Sequence, residues 1–261
     1  DFFFEGDPMR DEYLTNLTSS FRVVLGSNKG GKHLASEGFG VKSIVVEENF
    51  ELERGSAMSN LALVFLDSCV SDFEPIRLLR GDDEQEEEGD SSSSSGGGGV
   101  DLPNTLEVVG FGDSEHFCVT QEHGIETNEE DLMQVMPYER ANCEVNPLCD
   151  GLYGNRCEED MVLCLKAEDE TTCTGDGGAP IFGYSKSERS PVQIGVLGTG
   201  VIINNGGSYT AGTLEYTDLA IASVLSSHTE WLESHLSNDT CLNSTGTAVS
   251  DLFVASDDLA L

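Results

Sequence analysis

One loop in the sequence carries residue types that could take part in catalysis. Residues 173–180 read CTGDGGAP, with an aspartate between glycines and a proline that closes the loop. Glycines allow a tight turn, so such a loop is able to direct its backbone amides into a cleft, where they would stabilise developing negative charge. The loop alone is only moderately specific, because Gly-rich turns are common.

The eight cysteines predict disulfides rather than a metal centre. None forms a CxxC pair and the chain has only five histidines, so the spacing typical of a zinc site is missing. An even number, mostly in the second half of the chain, is typical of a protein from an oxidising compartment. The cysteines are Cys69, Cys118, Cys143, Cys149, Cys157, Cys164, Cys173 and Cys241.

Three N-glycosylation sequons agree with a secreted, extracellular protein. They lie at Asn16, Asn238 and Asn243. No signal peptide is visible at Asp1, so we expect a processed chain or one whose start is missing.

The other candidate ligands and bases favour simpler interpretations. Glu37, Glu47 and Glu48 could bind calcium, but they lack a regular alternation of oxygen ligands, which favours a solvated loop face and no cofactor. His116 and His123 lie in a polar stretch, where surface histidines are more common than a substitute base.

The charge balance excludes several classes of partner. The chain has 48 acidic and 13 basic residues, a formal net charge of −35. Binding to nucleic acid or to an anionic membrane surface needs clustered Lys and Arg, so neither is expected. Basic protein partners, calcium or a saline medium remain compatible with this charge. No apolar run approaches the 18 residues typical of a membrane span.

The elements that would position the loop read mainly as strands. Short β-branched runs separated by turn residues predict an all-β sandwich or barrel, and helical spacing occurs only near the end. Residues 81–99, GDDEQEEEGDSSSSSGGGG, predict a solvated linker, with a calcium-binding acidic loop as the alternative. The strand runs are 21–26, 41–46, 61–66, 105–112 and 192–198, and the helical runs are 219–225 and 231–236.

The loop resembles the nucleophile loop of trypsin-like serine proteases, whose pattern is C-x-G-D-S-G-G-P. Weaker matches follow in the family's order between Phe21 and Leu236, so the resemblance covers most of the chain. It implies an all-β, trypsin-like double β-barrel with a C-terminal α-helix. The matching segments are residues 21–26, 60–66, 75–78, 109–112, 161–164, 194–198 and 216–217, Cys143, Cys173 and the pair Trp231-Leu232.

The resemblance also divides the chain and exposes a gap. Only 20 residues precede Phe21, and they lack the family's A-A-H-C segment, so the first barrel is expected to lack its opening strands. We expect upstream residues or another subunit to supply a strand beside residues 21–26 or 41–46, because unpaired strand edges are costly. The divisions are an N-terminal segment 1–20, the remainder of the first barrel 21–80, an acidic Ser/Gly-rich linker or loop 81–100, the second barrel and helix 101–236, and a C-terminal tail 237–261.

Departures from the family pattern predict that the chain is catalytically inactive. Gly177 stands at the serine position and Asn60 at the aspartate position. The first histidine, His33, follows the strand at Phe21 instead of preceding it, so the histidine position is empty. A hydroxyl, a base and an orienting carboxylate are all needed to form an acyl-enzyme.

The resemblance leaves a vestigial pocket. Gly175 and Asp176 match the family, and the backbone of Gly175 could still form part of an oxyanion hole. Thr171 replaces the acidic residue that selects Lys or Arg, while Gly198 and Thr199 replace the Ser-Trp pair that helps to hold substrate backbone.

The family's spacing also implies disulfide pairings. Cys143 would pair with Cys164, and Cys149 with Cys157 inside the loop that they close. Cys173 lacks its usual partner and would pair with Cys69, Cys118 or Cys241, of which Cys118 is favoured.

The sequence therefore favours a secreted, trypsin-like pseudoprotease that acts by binding proteins, as a non-catalytic subunit or a regulator of an extracellular assembly. The alternative is a structural component of an extracellular filament or matrix complex. An active serine endopeptidase is the least favoured interpretation, because no cluster of Ser, His and Asp supports it.

Overall fold

The fold is known from a computed structural model.

 The described residues number 140, and they are 18–28, 38–50, 59–81, 102–112, 133–143, 149, 161–168, 172, 175–187, 189–204, 216–237, 241, 248–255 and 259. The side chains of residues 168, 199–204 and 216–218 are not among those described.

Two sheets contain the strands of the described chain. The first is a three-stranded antiparallel sheet of β1 (Arg22–Val23), β2 (Phe39–Val46) and β3 (Ala62–Leu66), with β2 in the centre. Its β1 pairs only with Phe39 and Gly40, whereas β3 pairs along residues 41–46 of β2. The prediction of strands at 41–46 and 61–66 is confirmed, and the run 21–26 yields a strand of two residues.

The second sheet closes into a six-stranded antiparallel barrel in the order β10-β7-β6-β5-β8-β9, with β9 pairing again to β10. Two short strands, β4 and β11, extend this sheet from β9 by parallel pairing. The strands are β4 (Arg77–Leu79), β5 (Thr105–Gly110), β6 (Gln134–Arg140), β7 (Val162–Glu168), β8 (Pro180–Tyr184), β9 (Pro191–Asn204), β10 (Tyr216–Val224) and β11 (Phe253–Val254).

The barrel has the main hydrophobic core. Its strands alternate buried and more accessible residues, as in β5, where Leu106 and Val108 are buried and Thr105 is exposed. Ile181 and Ile194 fill the same core from β8 and β9. Each such side chain stabilises the fold by about 1.5–3 kcal/mol when it is fully buried, so this core fixes the ends of the barrel strands where the candidate site lies.

The predicted helix at residues 219–225 is wrong. Residues 219–224 belong to β10, which pairs with β7 on one side and with β9 on the other. Ala220, Ile221 and Ala222 are all buried, since this strand has both edges paired and both faces covered. A short run buried on every side has no two-residue alternation, and its apolar spacing cannot distinguish a strand from a helix.

The terminal helix and the segment after it are part of the fold. Helix α1 (Thr229–Leu236) confirms the helix predicted at 231–236, and a 3₁₀ turn at Ser226–His228 precedes it. Beyond the helix, β11 pairs with β4, and the fully buried Leu259 bridges to Ser185. The segment named above as a C-terminal tail thus contributes to the second sheet.

The all-β prediction is confirmed, with one closed barrel and a short C-terminal helix. This architecture is compatible with a trypsin-like fold. The first unit, residues 21–80, contains an open three-stranded sheet in its described part, so the expected first barrel of a double-barrel fold stays a prediction.

Two disulfides are described. Cys143 and Cys164 are bonded, which confirms the pairing implied by the family's spacing. Cys69 is bonded to Cys241, across 172 residues of sequence. This bond removes two of the three candidates for Cys173, and the favoured pairing with Cys118 stays a prediction, because both cysteines lie outside the described residues.

Cys149 is also disulfide-bonded, to a partner outside the described residues, so its pairing with Cys157 stays a prediction. Within the described chain, no helix is both long and apolar enough to cross a membrane.

Candidate functional site

The glycine-rich loop is held at the end of β8 by three backbone hydrogen bonds. The Ala179 amide donates to the Asp176 carbonyl at 2.8 Å and closes a tight turn. The Gly178 amide donates to the Leu197 carbonyl, and the Leu197 amide donates to the Ala179 carbonyl, both at 2.8 Å. Gly178 has φ +89°, a left-handed conformation that glycine adopts without strain. The loop is therefore fixed to β9, with Gly177 and Gly178 exposed.

Asp176 is buried against the end of β5. Its side chain is 4% exposed, and its Oδ1 atom accepts a hydrogen bond from the Gly112 amide at 2.7 Å. A Cβ atom on Gly110 or on Gly112 would overlap the Asp176 carboxylate, so these two positions require glycine. Sequence reasoning matched residues 109–112 to a family motif, but it did not find this contact with Asp176.

Three positions from distant parts of the sequence converge beside the loop. Gly198 is the extra residue in a β-bulge of β9, where the pairing shifts between Ile221 and Ala222. A Cβ atom placed on Gly198 would lie 3.3 Å from Asn60 Nδ2. A Cβ atom placed on Gly177 would lie 3.7 Å from the Gly198 carbonyl oxygen. The structure thus brings together Asn60, Gly177 and Gly198.

The residues at this convergence have little chemical reactivity. Gly177 and Gly198 have no side chain, and the Asn60 amide is neither a nucleophile nor a general base. The nearest atom to a Cβ atom on Gly177 is at ordinary van der Waals distance, so a side chain would fit there. The arrangement offers a glycine-lined surface on which Gly177 is exposed, and none of these three residues has a group that could be acylated.

Several predicted site residues are not described. Thr199 pairs with Ile221 through its backbone, but its side chain lies outside the described set. Thr172, next to Thr171, is buried, and its amide donates to Tyr138 Oη at 2.9 Å. The residues outside the described part of the chain are Asn16, His33, Glu37, His116, Cys118, His123, Cys157, Thr171, Cys173, Asn238 and Asn243.

The two described glutamates of the calcium hypothesis differ in burial. Glu48 is exposed, as expected of a solvated loop face. Glu47 is buried, and its carboxylate accepts hydrogen bonds from the Asn49 amide at 2.7 Å and from Asn49 Nδ2 at 3.0 Å. The solvated interpretation is therefore wrong for Glu47, because the local turn after β2 supplies donors for both carboxylate oxygens.

Three sulfur atoms cluster beside β7, outside the main barrel core, without forming a thiolate site. The Sγ atoms of Cys143, Cys149 and Cys164 lie within 4.8 Å of one another. All three cysteines are disulfide-bonded, and a metal ligand must be a deprotonated thiol. The cluster is a buried disulfide region.

No protein-family model matches this chain, and no curated protein matches it. The candidate site consists of a fixed glycine-rich loop, a buried Asp176 and the convergence of Asn60, Gly177 and Gly198.

Proposed function

We propose that this protein is a secreted, catalytically inactive, trypsin-like protein that acts by binding protein partners, as a non-catalytic subunit or a regulator of an extracellular assembly. The convergence of Asn60, Gly177 and Gly198 carries the proposal. The resemblance places the catalytic serine at Gly177 and the aspartate at Asn60, and Gly198 in the pair that helps to hold substrate backbone. The three residues supply no hydroxyl, no base and no carboxylate.

The disulfides and the N-glycosylation sequons support secretion. The described disulfides Cys69–Cys241 and Cys143–Cys164 are of the kind that persists in oxidising compartments. The three sequons are compatible with the same compartment.

An exposed apolar surface supports protein binding. The Asn28 carbonyl accepts a hydrogen bond from the Met133 amide at 2.9 Å, which joins the first unit to the start of β6. Leu25 and Val135 lie within three residues of this contact in sequence, and Phe73 lies beside Gly26. Leu25, Phe73, Met133 and Val135 are all exposed, Val135 to 52%. Exposed apolar groups that lie together are typical of interaction sites.

A chemical test addresses inactivity. We expect no covalent labelling of the native protein by a fluorophosphonate probe, because Gly177 has no oxygen to phosphorylate. The Gly177→Ser variant should also stay unlabelled and should not cleave peptide substrates, because Asn60 cannot orient a base. Labelling that is saturable and lost on denaturation would overturn the proposal.

A binding test separates a regulator from a structural subunit. Tagged protein is returned to its native source, and the bound polypeptides are quantified by mass spectrometry. For a regulator that uses the former active-site face, Gly177→Trp should remove a stoichiometric partner that the wild-type protein binds. The matched control is Thr105→Trp, an exposed position at the opposite end of β5 from Gly110.

The structural alternative predicts a different result. In that case the double variant Phe73→Asp, Val135→Asp should remove the partner, and Gly177→Trp should retain it. A wild-type protein that binds no stoichiometric partner would contradict both forms of the proposal.

A further inference from the structure

The C-terminal helix meets the first unit at a junction with an apolar centre. Leu61, which precedes β3, packs with Leu225 and Leu232 in one buried cluster. Two polar contacts lie at the same junction: the Gly81 amide donates to Thr229 Oγ1 at 3.1 Å, and Arg80 Nη2 lies 3.6 Å from Glu233 Oε1. The helix is thus held by apolar packing together with these polar contacts.

Unsatisfied buried polar atoms occur on the segments that meet at this junction. Ser59 Oγ, His228 Nε2 and Trp231 Nε1 are buried atoms with no hydrogen-bond partner among the described residues. Ser59 immediately precedes the Asn60-Leu61 segment, and His228 and Trp231 lie at the start of α1. A buried polar atom without a partner destabilises the folded state, and a buried charge without a partner destabilises it more.

His228 is the titratable group in this set. It is 4% exposed, and burial lowers its pKa below the ordinary value of 6.5, because an imidazolium ion is poorly solvated there. Glu47 opposes this effect and raises the pKa of His228 through its negative charge. Both Glu47 oxygens accept hydrogen bonds from Asn49, and no hydrogen bond joins the carboxylate to His228 Nε2.

The other charged groups near the junction are on its neighbouring elements. Arg80 follows β4 and is paired with Glu233 of α1. The remaining titratable or charged residues of α1, of β4, of the turn after β2 and of the 3₁₀ turn Val249–Leu252, as far as the structure describes them, are Glu48, Arg77, Glu230, His235 and Asp251.

We propose that this junction is an acid-sensitive latch, in which uncharged His228 keeps α1 packed on the first unit and protonated His228 releases it. Release would expose the apolar face formed by Leu61, Leu225 and Leu232. The disulfide between Cys69 and Cys241 would keep the released segment tethered to the first unit, so that it repacks when the pH rises. The acid-sensitive opening of this junction does not depend on the binding function proposed above.

The direction of the pH effect follows from the lowered pKa of His228. The folded junction binds the proton less well than the open one, so its stability is complete above the ordinary value of 6.5 and decreases as the pH falls below it. The net charge of −35 acts in the opposite direction, because protonation of carboxylates reduces their mutual repulsion. Opening in mild acid would therefore identify the histidine as the cause.

Trp231 is the only tryptophan of the chain and lies in the junction, so its fluorescence reports on opening. The ring of His235 lies 5.1 Å from that of Trp231 and would quench it when protonated. The measurement is therefore made in the His235→Gln variant, as acrylamide quenching at pH 7.5 and pH 5.0. We expect the quenching constant to rise at least twofold at pH 5.0, while far-ultraviolet circular dichroism shows that the β-structure is retained.

Two further variants in the same background identify the titrating group. His228→Gln should abolish the rise, because the glutamine stays uncharged. Glu47→Gln should move the midpoint of the rise to lower pH, because the nearby negative charge is lost. The proposal is overturned if quenching is the same at both pH values, or if the rise persists in His228→Gln. If His228→Gln does not fold, a midpoint that is unchanged or higher in Glu47→Gln overturns it.

Discussion

The closed barrel and the three-stranded sheet are made of similar strands, but they bury them differently. In the barrel, every strand from β5 to β10 has at least two neighbours, and one continuous cluster of apolar side chains fills the interior. Between residues 18 and 76, the described residues that are buried are Glu47, Ser59 and Leu61, and two of these are polar. Closure, rather than strand composition, decides how much a strand is stabilised.

This difference indicates that the open sheet, unlike the barrel, depends on contacts with other elements of the fold. A small open sheet is only marginally stable unless something packs on its face, and here α1 packs beside Leu61 at one end. The barrel satisfies its own edges, so it is able to support the site loop without help. We therefore expect perturbations of the barrel to affect global stability, and perturbations of the sheet to affect binding and the junction.

The largest expected effect is on the free energy of unfolding, when a side chain in the barrel core is truncated. Ile181→Ala, at a fully buried barrel position, should lower the free energy of unfolding by about 2–5 kcal/mol, because it leaves a cavity. Val64→Ala, at a position of β3 that is 48% exposed, should change it by less than about 0.5 kcal/mol. Urea unfolding of both variants measures the difference, and equal losses would contradict it.

The next effect concerns the covalent link between the two regions. Replacing both Cys69 and Cys241 by Ala should destabilise the protein by about 2–4 kcal/mol, because the unfolded chain gains conformational entropy. Thermal unfolding measures the loss, and hydrogen exchange should place it in α1 and the first sheet. Faster exchange confined to the barrel would contradict the assignment.

A smaller effect tests the contact beneath the site loop. Gly110→Ala should destabilise the protein by about 1–3 kcal/mol, because the new methyl group overlaps the Asp176 carboxylate. The matched variant is Gly177→Ala, where the nearest atom is 3.7 Å away and little change is expected. Unfolding curves that rank the two variants in the opposite order would show that the loop is not held by Asp176.

The smallest effect concerns surface charge on the barrel. Lys166 Nζ lies 3.1 Å from Glu139 Oε2 between β7 and β6, with both side chains largely exposed. Lys166→Gln should cost less than about 1 kcal/mol, because water and salt screen exposed pairs. Unfolding in low and high salt measures it, and a larger, salt-independent loss would mean that the barrel depends on this pair.

Part of this fold could be predicted from local sequence patterns. Val41–Val46 and Leu61–Leu66 have the β-branched, turn-flanked composition of strands, and both regions form strands. The Cys143–Cys164 bond followed from a resemblance in spacing. These features are encoded within a few residues or a short loop.

The features that were missed depend on the tertiary structure. Residues 219–224 are a strand only because β7 and β9 pair with both of its edges. Glu47 is charged and follows a strand, which favours a solvated position, and only its Asn49 donors and the packed junction explain its burial. The partner of Cys69 is 172 residues away, a separation that no local pattern specifies.

That long separation also imposes an order of events during biosynthesis. A ribosome adds about 5–20 residues per second, so about 10–30 s pass between the emergence of Cys69 and that of Cys241. The partner strand of β4 is β11, at residues 253–254, which is synthesised after Cys241. During this interval the Cys69 thiol is able to form non-native disulfides with Cys143 or Cys149 of the same chain. The Cys69–Cys241 bond and the pairing of β4 with β11 are therefore completed last, although Cys69 and β4 are synthesised early.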